Sequence, residues 1–327
     1  MRRREFVTLL GGAAAGWPFA ARAQQPTLPV IGFIHSGSSS AYVPFVNAFR
    51  QGLRQTGFVD GDNVDIQFRW GENRRDPIPG HVAELVRRKV NVLVTGGGDA
   101  GVLAAKKATS TIPIVAALGS DPVETGVVSN LNRPGGNVTG VSVFAVQLVA
   151  KRLELAREFV TSSDLVAFLE NPSNPNSRID SKEFGETAQR LPQKFMLVQA
   201  TAESECATAF AALVQHGAKA LVVQSDPFFN SVVESLVALA GRHAIPVVFP
   251  RREFAIAGGL MSYGSSLSEA YRQIGIYTGR VLKGDRPGDL PFLFPTRYEL
   301  VINLKTAKSL GLTMPTPILL RADEVIE

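Results

Sequence analysis

The stretch that most constrains this chain covers residues 112–143, where two short apolar runs enclose a polar turn. Residues 112–118 and 138–143 each have the length of a buried strand. The turn begins with Gly119, Ser120 and Asp121, followed by a proline, which is chemistry typical of turns. Because ligands bind at the carboxyl ends of strands in open α/β sheets, we predict that these three turn residues face a ligand.

Apolar segments of alternating type extend this pattern over the whole chain. In the first half, predicted strands alternate with predicted helices, at residues 29–35, 42–56, 63–70, 82–89, 90–94 and 100–109. In the second half, further strands are predicted at residues 165–169, 195–198, 220–223 and 246–249. Short connections between such elements favour parallel sheets with helices on both faces. We therefore predict an α/β fold with two Rossmann-like lobes, each built on a parallel sheet.

The order of these segments predicts that the chain passes three times between the lobes. We place the crossings near residues 141–144, 260–264 and 291–296. The third of them belongs to a segment rich in Pro and Gly, and the second precedes a predicted helix. The first lobe would then contain residues 24–143 and 264–290, and the second lobe would contain residues 144–263 and 297–327.

The first 23 residues predict an export signal. Arg3 and Arg4 precede a mildly apolar run at residues 8–20, and Ala21-Arg22-Ala23 offers a small-x-small cleavage site. The run is too short to span a bilayer, and no cysteine that could carry a lipid anchor follows it. We expect export by the twin-arginine route and a soluble, monomeric periplasmic protein without a lipid anchor. A merely basic or amphipathic terminus is the alternative.

The charge and the cysteine content limit the possible partners. The formal net charge is +5, but residues 1–23 hold four arginines and one glutamate, so the rest of the chain carries only +2. Such a charge does not call for a nucleic-acid partner. The one cysteine, Cys206, has no partner in the chain for a disulfide, and no set of Cys and His has the spacing of metal ligands. We expect neither a metal nor a cofactor.

Several segments resemble one family of binding proteins. They are TIPIV, SDPV and NRPGGNVTG within residues 111–140, GGLMSYG at residues 258–264, and ELVINLKTAKSLGLT and RADEVIE near the carboxyl end. Over roughly the whole mature chain they are similar to substrate-binding proteins of an ABC-transporter family of the tryptophan/aromatic amino-acid uptake type. The resemblance implies the type I periplasmic-binding-protein fold with a three-crossing hinge. It also implies a small ligand, such as an amino acid or a related compound, and an ABC permease of the inner membrane as partner.

In such a fold, the loops after the first-lobe strands face the cleft between the lobes. The candidates are small or hydroxyl-bearing residues, namely Ser36, Gly37, Ser38, Gly96, Gly97 and Gly98. Backbone N–H groups of a Gly-rich loop at a helix N-terminus suit an anion such as an α-carboxylate, and Ser120 could add a hydroxyl donor. The alternative is that the glycines only make tight turns. No Gly-Lys-Ser/Thr and no G-x-G-x-x-G follows a strand here, so nucleotide binding is poorly supported.

Asp99 departs from the family's usual pattern, which has a neutral small-Pro pair after the glycine of this loop. If Asp99 faces the cleft, its charge would favour a cationic or amine-bearing ligand. If it caps the next helix, it stabilises that helix by ~1 kcal/mol. Of these two interpretations, we favour the cap.

The second lobe offers its own candidates. Asp226 follows a buried-looking strand and is the best acid to meet a ligand ammonium group, although it is equally suited to cap the helix that begins near Phe228. Phe228 would be an apolar wall of the cleft or part of the core. Asn174 and Ser177 could bind a ligand, but we favour a turn. Two aromatic residues, Phe144 and Tyr263, lie at predicted crossings, from which a side chain could reach the cleft.

Catalysis has little support in the sequence. Of the four histidines, only His35 could face the cleft, beside Ser36, and there is no G-x-S-x-G motif. A Ser–His pair that is adjacent in sequence is weak evidence for a catalytic triad. We therefore predict a non-enzymatic receptor that closes over a small solute and delivers it to an ABC permease. An exported sensory protein is the first alternative, and an exported hydrolase that uses Ser36 and His35 is the second.

Overall fold

A computed structural model describes residues 28–143 and 146–327, with only the backbone of residues 146 and 147. The predicted export signal at residues 1–23 and the candidate Phe144 lie outside the described residues. The helices of the described part include none with the length and apolar character that crossing a bilayer requires.

The described residues form strands and helices in close alternation. The strands are Val30–His35 (β1), Asp65–Trp70 (β2), Val92–Gly96 (β3), Ile114–Leu118 (β4), Val138–Ser142 (β5), Leu165–Glu170 (β6), Lys194–Gln199 (β7), Ala218–Val223 (β8), Val247–Phe249 (β9), Met261–Ser265 (β10), Tyr298–Asn303 (β11) and Glu324–Ile326 (β12). The helices are Val43–Gln55 (α1), Ile78–Arg87 (α2), Asp99–Ala108 (α3), Val146–Arg157 (α4), Ser177–Arg190 (α5), Glu203–His216 (α6), Pro227–Ser231 (α7), Val233–Arg242 (α8), Arg252–Ile256 (α9), Leu267–Leu282 (α10), Leu304–Ser309 (α11) and Thr316–Leu319 (α12).

The first sheet has the strand order β2-β1-β3-β4-β5, and all of its neighbouring strands are parallel. Side chains alternate between its two faces. Val92 and Val94 of β3 pack under α1 and α10, whereas Leu93 packs under α2 and α3. Both faces are thus covered, which explains why these strands read as continuous apolar runs in the sequence.

The second sheet has the order β12-β11-β10-β9-β8-β6-β7. Helices α4, α5, α11 and α12 cover one face, and α6, α8 and α9 cover the other. The prediction of a purely parallel sheet is wrong at one place, because β10 and β11 are antiparallel. Between these two strands the chain visits the first sheet, and on its return β11 runs in the opposite direction.

Two of the passages between the sheets lie within the described residues. After β10 the chain enters α10, which packs against α1 and against β3, β4 and β5 of the first sheet. It then runs beside β5, where the Leu293 N–H donates to the Gly140 carbonyl at 3.0 Å and the Ser142 N–H donates to the Leu293 carbonyl at 2.9 Å. The crossing that we predicted near residues 260–264 falls inside β10, whose ladder with β11 continues to Ser265.

We call the first sheet with α1, α2, α3 and α10 the first lobe, and the second sheet with the other helices the second lobe. The residue boundaries given above for the two lobes stay a prediction. In this arrangement the carboxyl ends of β1, β3 and β4 face those of β6, β8 and β9. The loops that follow these strands form the walls of the cleft between the lobes.

Candidate functional site

A cavity of about 50 Å³ lies in the cleft, and both lobes contribute to its walls. The first lobe supplies the glycine-rich loop after β3, and the second lobe supplies the loops after β6, β8 and β9. The side chains that matter below are Tyr42, Arg75, Asp99, Asp226, Arg251 and Tyr271. This volume holds one or two water molecules, whereas pockets for small ligands commonly measure about 300–1,000 Å³. Ligand entry therefore requires the two walls to move apart.

Asp99 has one carboxylate oxygen in use and one free. Its Oδ1 accepts a hydrogen bond of 2.9 Å from the Gly119 N–H, while its Oδ2 is buried and has no hydrogen-bond partner among the described residues. The residue is only 3% exposed. A buried polar atom without a partner costs free energy, so this oxygen is a strong candidate for a donor on a ligand.

The helix-cap interpretation of Asp99 was wrong. Helix α3 begins at Asp99 itself, and the N-cap position belongs to Gly98, which has no side chain to cap with. Gly97 and Gly98 have φ angles of +74° and +88°, in the left-handed region that favours glycine. These two residues turn the chain one position earlier than we expected, and the Asp99 carboxylate reaches across to the turn after β4.

Asp226 is saturated with hydrogen-bond donors. It is the N-cap of α7 and accepts from the Phe228 N–H at 2.8 Å. Asn171 donates to it at 3.1 Å, Asn174 at 2.7 Å and Arg75 at 3.4 Å. Burial raises the pKa of Asp226, and the hydrogen bond from Asn171 and the charge of Arg75 oppose that rise. Asp226 therefore both caps α7 and lines the cavity, but protein groups occupy the acceptor positions of its carboxylate.

Arg251 brings an incompletely paired cation to the same cavity. Its Nη1 donates to the carbonyl and to the hydroxyl of Ser265 at 2.8 and 2.9 Å, and its Nη2 donates to the Ser225 hydroxyl at 3.3 Å. Its Nε is buried without a hydrogen-bond partner, and within the described part of the chain no carboxylate lies close enough to form an ion pair with it. Burial lowers the pKa of the guanidinium. Because its Nε has an open donor position, the guanidinium is suited to bind an anion.

A chain of hydrogen bonds from the end of β1 reaches Tyr271 at the cavity wall. The Gly37 N–H donates to His35 Nδ1 at 2.8 Å, and His35 Nε2 lies 2.7 Å from the Tyr271 hydroxyl. Burial lowers the pKa of His35 to about 3, so the ring is neutral at physiological pH. Ser36 turns away from this histidine and donates to the Gly97 carbonyl. The Ser–His pair that a hydrolase would need is therefore not formed here.

Few contacts bridge the cleft. Besides the Arg75–Asp226 pair, the Ser38 N–H donates to the Ser231 hydroxyl at 3.4 Å, and Asn230 donates to the Tyr42 hydroxyl at 3.4 Å. Bonds of this length are weak. Ser38 thus joins the lobes instead of lining the cavity.

Several residues that the sequence suggested lie outside this cavity. Asp121 accepts from the Val123 and Glu124 N–H groups and closes its own turn. Ser120 is buried next to that turn, with its carbonyl bonded to the Ser142 hydroxyl at 2.9 Å. Neither Asp121 nor Ser120 lines this cavity, and the Ser120 hydroxyl has no hydrogen-bond partner among the described residues. A ligand contact at either residue stays a prediction.

In the second lobe three candidates also lie outside this cavity. Ser177 donates to Glu170 at 2.5 Å, as the first residue of α5. Tyr263 packs against the core of the second sheet, because β10 turns its side chain to that face. Phe228 is 6% exposed and belongs mainly to the core under α7. Asn174 does line the cavity, where it binds Asp226.

Some of the candidate glycines line the cavity and others do not. Gly97, Gly98 and Gly119 line the cavity. Gly96 does not line it, and a Cβ atom at this position would come within 2.6 Å of the Tyr271 hydroxyl. Gly37 acts through its N–H bond to His35.

The sequence did not single out most of the polar side chains of the cavity. Arg75, Tyr42 and Tyr271 carry no local signal, because each comes from a helix or loop that only the tertiary fold brings to the cleft. Arg251 did have a signal, since it follows β9 at the carboxyl end of a parallel strand. Within the described residues, no group of three or more His, Cys, Asp or Glu side chains is arranged to hold a metal ion.

The model of the ABC transporter substrate-binding protein family matches residues 30–326, so the chain belongs to this family. A curated relative, the tyrosine-binding protein of Clostridioides difficile (strain R20291), is 27% identical over 264 residues, which are 81% of this chain and 75% of the relative. The predicted family is thereby confirmed, and the protein is a substrate-binding protein of ABC transport.

Solved structures confirm the predicted fold. The ABC domain from Streptococcus pneumonia in complex with L-Trp aligns with a TM-score of 0.81 at 24% identity, over 92% of this chain and 100% of that one. The ligand-free, open structure of a substrate-binding protein with adhesive properties from Clostridium difficile aligns with a TM-score of 0.64 at 25% identity, over 91% and 99%. Two lobes with mostly parallel sheets, as in type I periplasmic binding proteins, are therefore established for this chain.

Proposed function

We propose that this protein captures an amino acid, or a close chemical relative of one, in the cleft and delivers it to an ABC importer of the inner membrane. One observation carries the proposal. Asp99 Oδ2 and Arg251 Nε are buried atoms of opposite charge, both residues line one cavity, and neither atom has a partner among the described residues. A zwitterion matches this pair, with its ammonium group on Asp99 and its carboxylate on Arg251.

The assignment moves the ammonium site from Asp226 to Asp99. Asp226 holds four protein donors, so a ligand ammonium would have to displace one of them. Arg75 is the one donor that comes from the other lobe. Asp226 then adds negative charge beside the ligand without being its main partner.

Similar proteins support the choice of an amino acid. One relative is named a tyrosine-binding protein, and one structure of the same fold contains L-Trp. The rings of Tyr42 and Tyr271 line the cavity of this chain and offer apolar area for an aromatic side chain. Aromatic amino acids are therefore the first ligands to test.

Binding would proceed by hinge closure. The cavity of about 50 Å³ is too small for an amino acid, and the hydrogen bonds across the cleft are long, so separating the lobes costs little. The segments that join the two lobes would absorb the change in backbone angles, and one of them follows the end of β10 at Ser265. The permease would then recognise the exposed surfaces of the closed lobes.

Delivery to an inner-membrane importer also requires export of the protein. The twin-arginine pattern, the apolar run and the cleavage site in residues 1–23 support export to the periplasm by the twin-arginine route. Fusing residues 1–30 to a reporter that matures only when it is folded before export would test this route. Replacing Arg3 and Arg4 by lysine should abolish export.

The ligand proposal is tested by thermal unfolding of the purified mature protein with each L-amino acid. A ligand at 100 times its Kd adds about 2.7 kcal/mol to the free energy of unfolding, which is seen as a raised Tm. Each amino acid that raises the Tm is then compared with its decarboxylated amine and with its deaminated acid. We expect only the zwitterion to give the full shift. If no amino acid raises the Tm, or if the amine does so equally well, the proposal is wrong.

A further inference from the structure

Tyr271 has an unusual hydrogen-bond environment for a side chain at a ligand cavity. The backbone N–H of Gly37 can only donate, so His35 Nδ1, which lies 2.8 Å away, must be the acceptor. A neutral imidazole carries its one proton on the other nitrogen. His35 Nε2 therefore donates to the Tyr271 hydroxyl oxygen over 2.7 Å.

This arrangement decides what the Tyr271 hydroxyl can do. Its oxygen accepts from His35, so its own proton must be given to another atom. Among the described residues no carbonyl, carboxylate or ring nitrogen is bonded to that proton. Burial raises the pKa of Tyr271 well above its usual value, and the neighbouring Tyr42 adds to that rise, while the backbone of Gly97 opposes it. The hydroxyl thus stays protonated and has a proton to donate.

The donor and acceptor roles in these two hydrogen bonds do not change near neutral pH. His35 is fully buried, and burial lowers its pKa to about 3. The nearby rings of Tyr42 and Trp70 hold the imidazole in place, at 3.9 and 5.1 Å between ring centroids. The imidazole therefore keeps one orientation and one tautomer.

We propose that Tyr271 is a specificity-determining residue, whose hydroxyl donates a hydrogen bond to the carboxylate of the ligand because His35 fixes it as a donor. This inference rests on the proposed function. Arg251 lines the same cavity as Tyr271, and we assign the two donors to one anion site. A ligand ammonium group at this anion site would face the Tyr271 hydroxyl proton and the Arg251 cation, so the site rejects it. His35 is a positioning residue, since it acts through Tyr271.

The test compares Tyr271→Phe with the wild-type protein by calorimetry. The probes are the amino acid with the largest Tm shift and its decarboxylated amine. Loss of a hydrogen bond to a charged group predicts a Kd about 10- to 100-fold higher for the amino acid. The Kd of the amine should not change. Tyr277→Phe is the matched control, because this tyrosine is on the same helix and its hydroxyl donates to the Pro291 carbonyl at 2.9 Å, away from the cavity.

A second variant tests the positioning role of His35. His35→Leu removes the donor but fills the buried space, so the Tyr271 hydroxyl becomes free to accept as well as to donate. The preference for the amino acid over the amine should then shrink, even though Tyr271 remains. A merely structural role of His35 would weaken both probes alike and leave their ratio unchanged.

The outcomes separate this inference from the proposed function. If Tyr271→Phe weakens both probes equally or neither of them, the inference is overturned, while capture of an amino acid stands. If the wild-type protein binds no amino acid, the proposed function fails and the role of Tyr271 fails with it. A Tyr277→Phe variant that loses affinity as strongly as Tyr271→Phe would also overturn the inference.

Discussion

The turn from β3 to α3 and the turn from β8 to α7 place an aspartate at the same kind of position on opposite walls of the cleft. Asp99 and Asp226 are 3% and 1% exposed. Asp226 accepts from four protein donors, whereas Asp99 accepts from one and leaves Oδ2 unpartnered among the described residues. Burial of an acid in a cleft thus does not identify a ligand site. A ligand site is identified by the acceptor positions on the acid that the protein leaves open.

The local sequence explains the difference. In the second lobe, Pro227 follows Asp226 directly and occupies the first helical position, where proline fits well, so the aspartate becomes the cap. In the first lobe, Gly98 takes the cap position and Asp99 falls inside the helix. A shift of one residue in where the helix begins therefore turns a structural carboxylate into one available for binding.

The largest effect is expected from removing the saturated carboxylate. Asp226→Ala leaves the Phe228 N–H and the Asn171 and Asn174 amides without their acceptor in a buried site. We expect the free energy of unfolding to fall by about 3–5 kcal/mol, as when one partner of a buried charged network is removed. Urea denaturation measures this loss.

Asp121→Ala is the control for Asp226→Ala, because Asp121 likewise follows a strand and accepts from backbone N–H groups, those of Val123 and Glu124, but lies in a more exposed turn. It should cost only ~1 kcal/mol, the usual cost of losing a cap. Equal losses in the two variants would contradict the distinction between the two turns.

The network beneath Asp226 should also respond to pH. Gln224 donates to Asp180 at 2.8 Å and accepts from the Asn171 N–H, and Asn171 in turn donates to Asp226. Burial raises the pKa of Asp180 to about 6. A carboxyl group with a raised pKa contributes stability that is present below its unfolded pKa and is lost as the pH rises through the folded value. The stability should therefore fall between about pH 4 and pH 7.

Asp180→Asn measures that contribution. The variant keeps an oxygen that can accept from Gln224 but carries no titrating proton. A difference of about two pKa units corresponds to about 2–3 kcal/mol, so the variant should gain this much relative to the wild-type protein between pH 4 and pH 7. Parallel pH profiles of the two proteins in urea denaturation would show that Asp180 does not titrate in this range.

Much of the fold could be predicted from the sequence, because it depends on local patterns. Strands buried on both faces leave continuous apolar runs, as residues 112–118 show, and the turns between them leave Gly, Pro and Asp. The reversed direction of β11 could not be predicted, since an apolar run does not record which way its strand runs.

The site could be predicted only in part. The rule that ligands bind at the carboxyl ends of strands led to Gly97, Gly98, Asp99 and Asp226. It also led to Asp121, which lies outside the cavity and whose carboxylate closes its own turn, because competition between a ligand and the nearest backbone N–H cannot be read from residue type. Tyr271 belongs to a helix from a distant part of the chain, and only tertiary packing brings it to β1.

The smallest of these effects is expected at the unsaturated carboxylate, and it concerns binding more than stability. Asp99→Asn keeps Oδ1 as acceptor for the Gly119 N–H but removes the charge that would bind the ligand ammonium. We expect the Kd of the amino acid to rise about 10- to 100-fold, the loss of one charge-assisted hydrogen bond. The free energy of unfolding without ligand should stay equal or increase, because a buried charge without a partner is destabilising. Calorimetry and urea denaturation of the same sample measure both, with Asp121→Asn as the control in the neighbouring turn. If the Asp99→Asn variant loses stability but keeps its affinity for the amino acid, Asp99 has a structural role and its assignment to ligand binding is wrong.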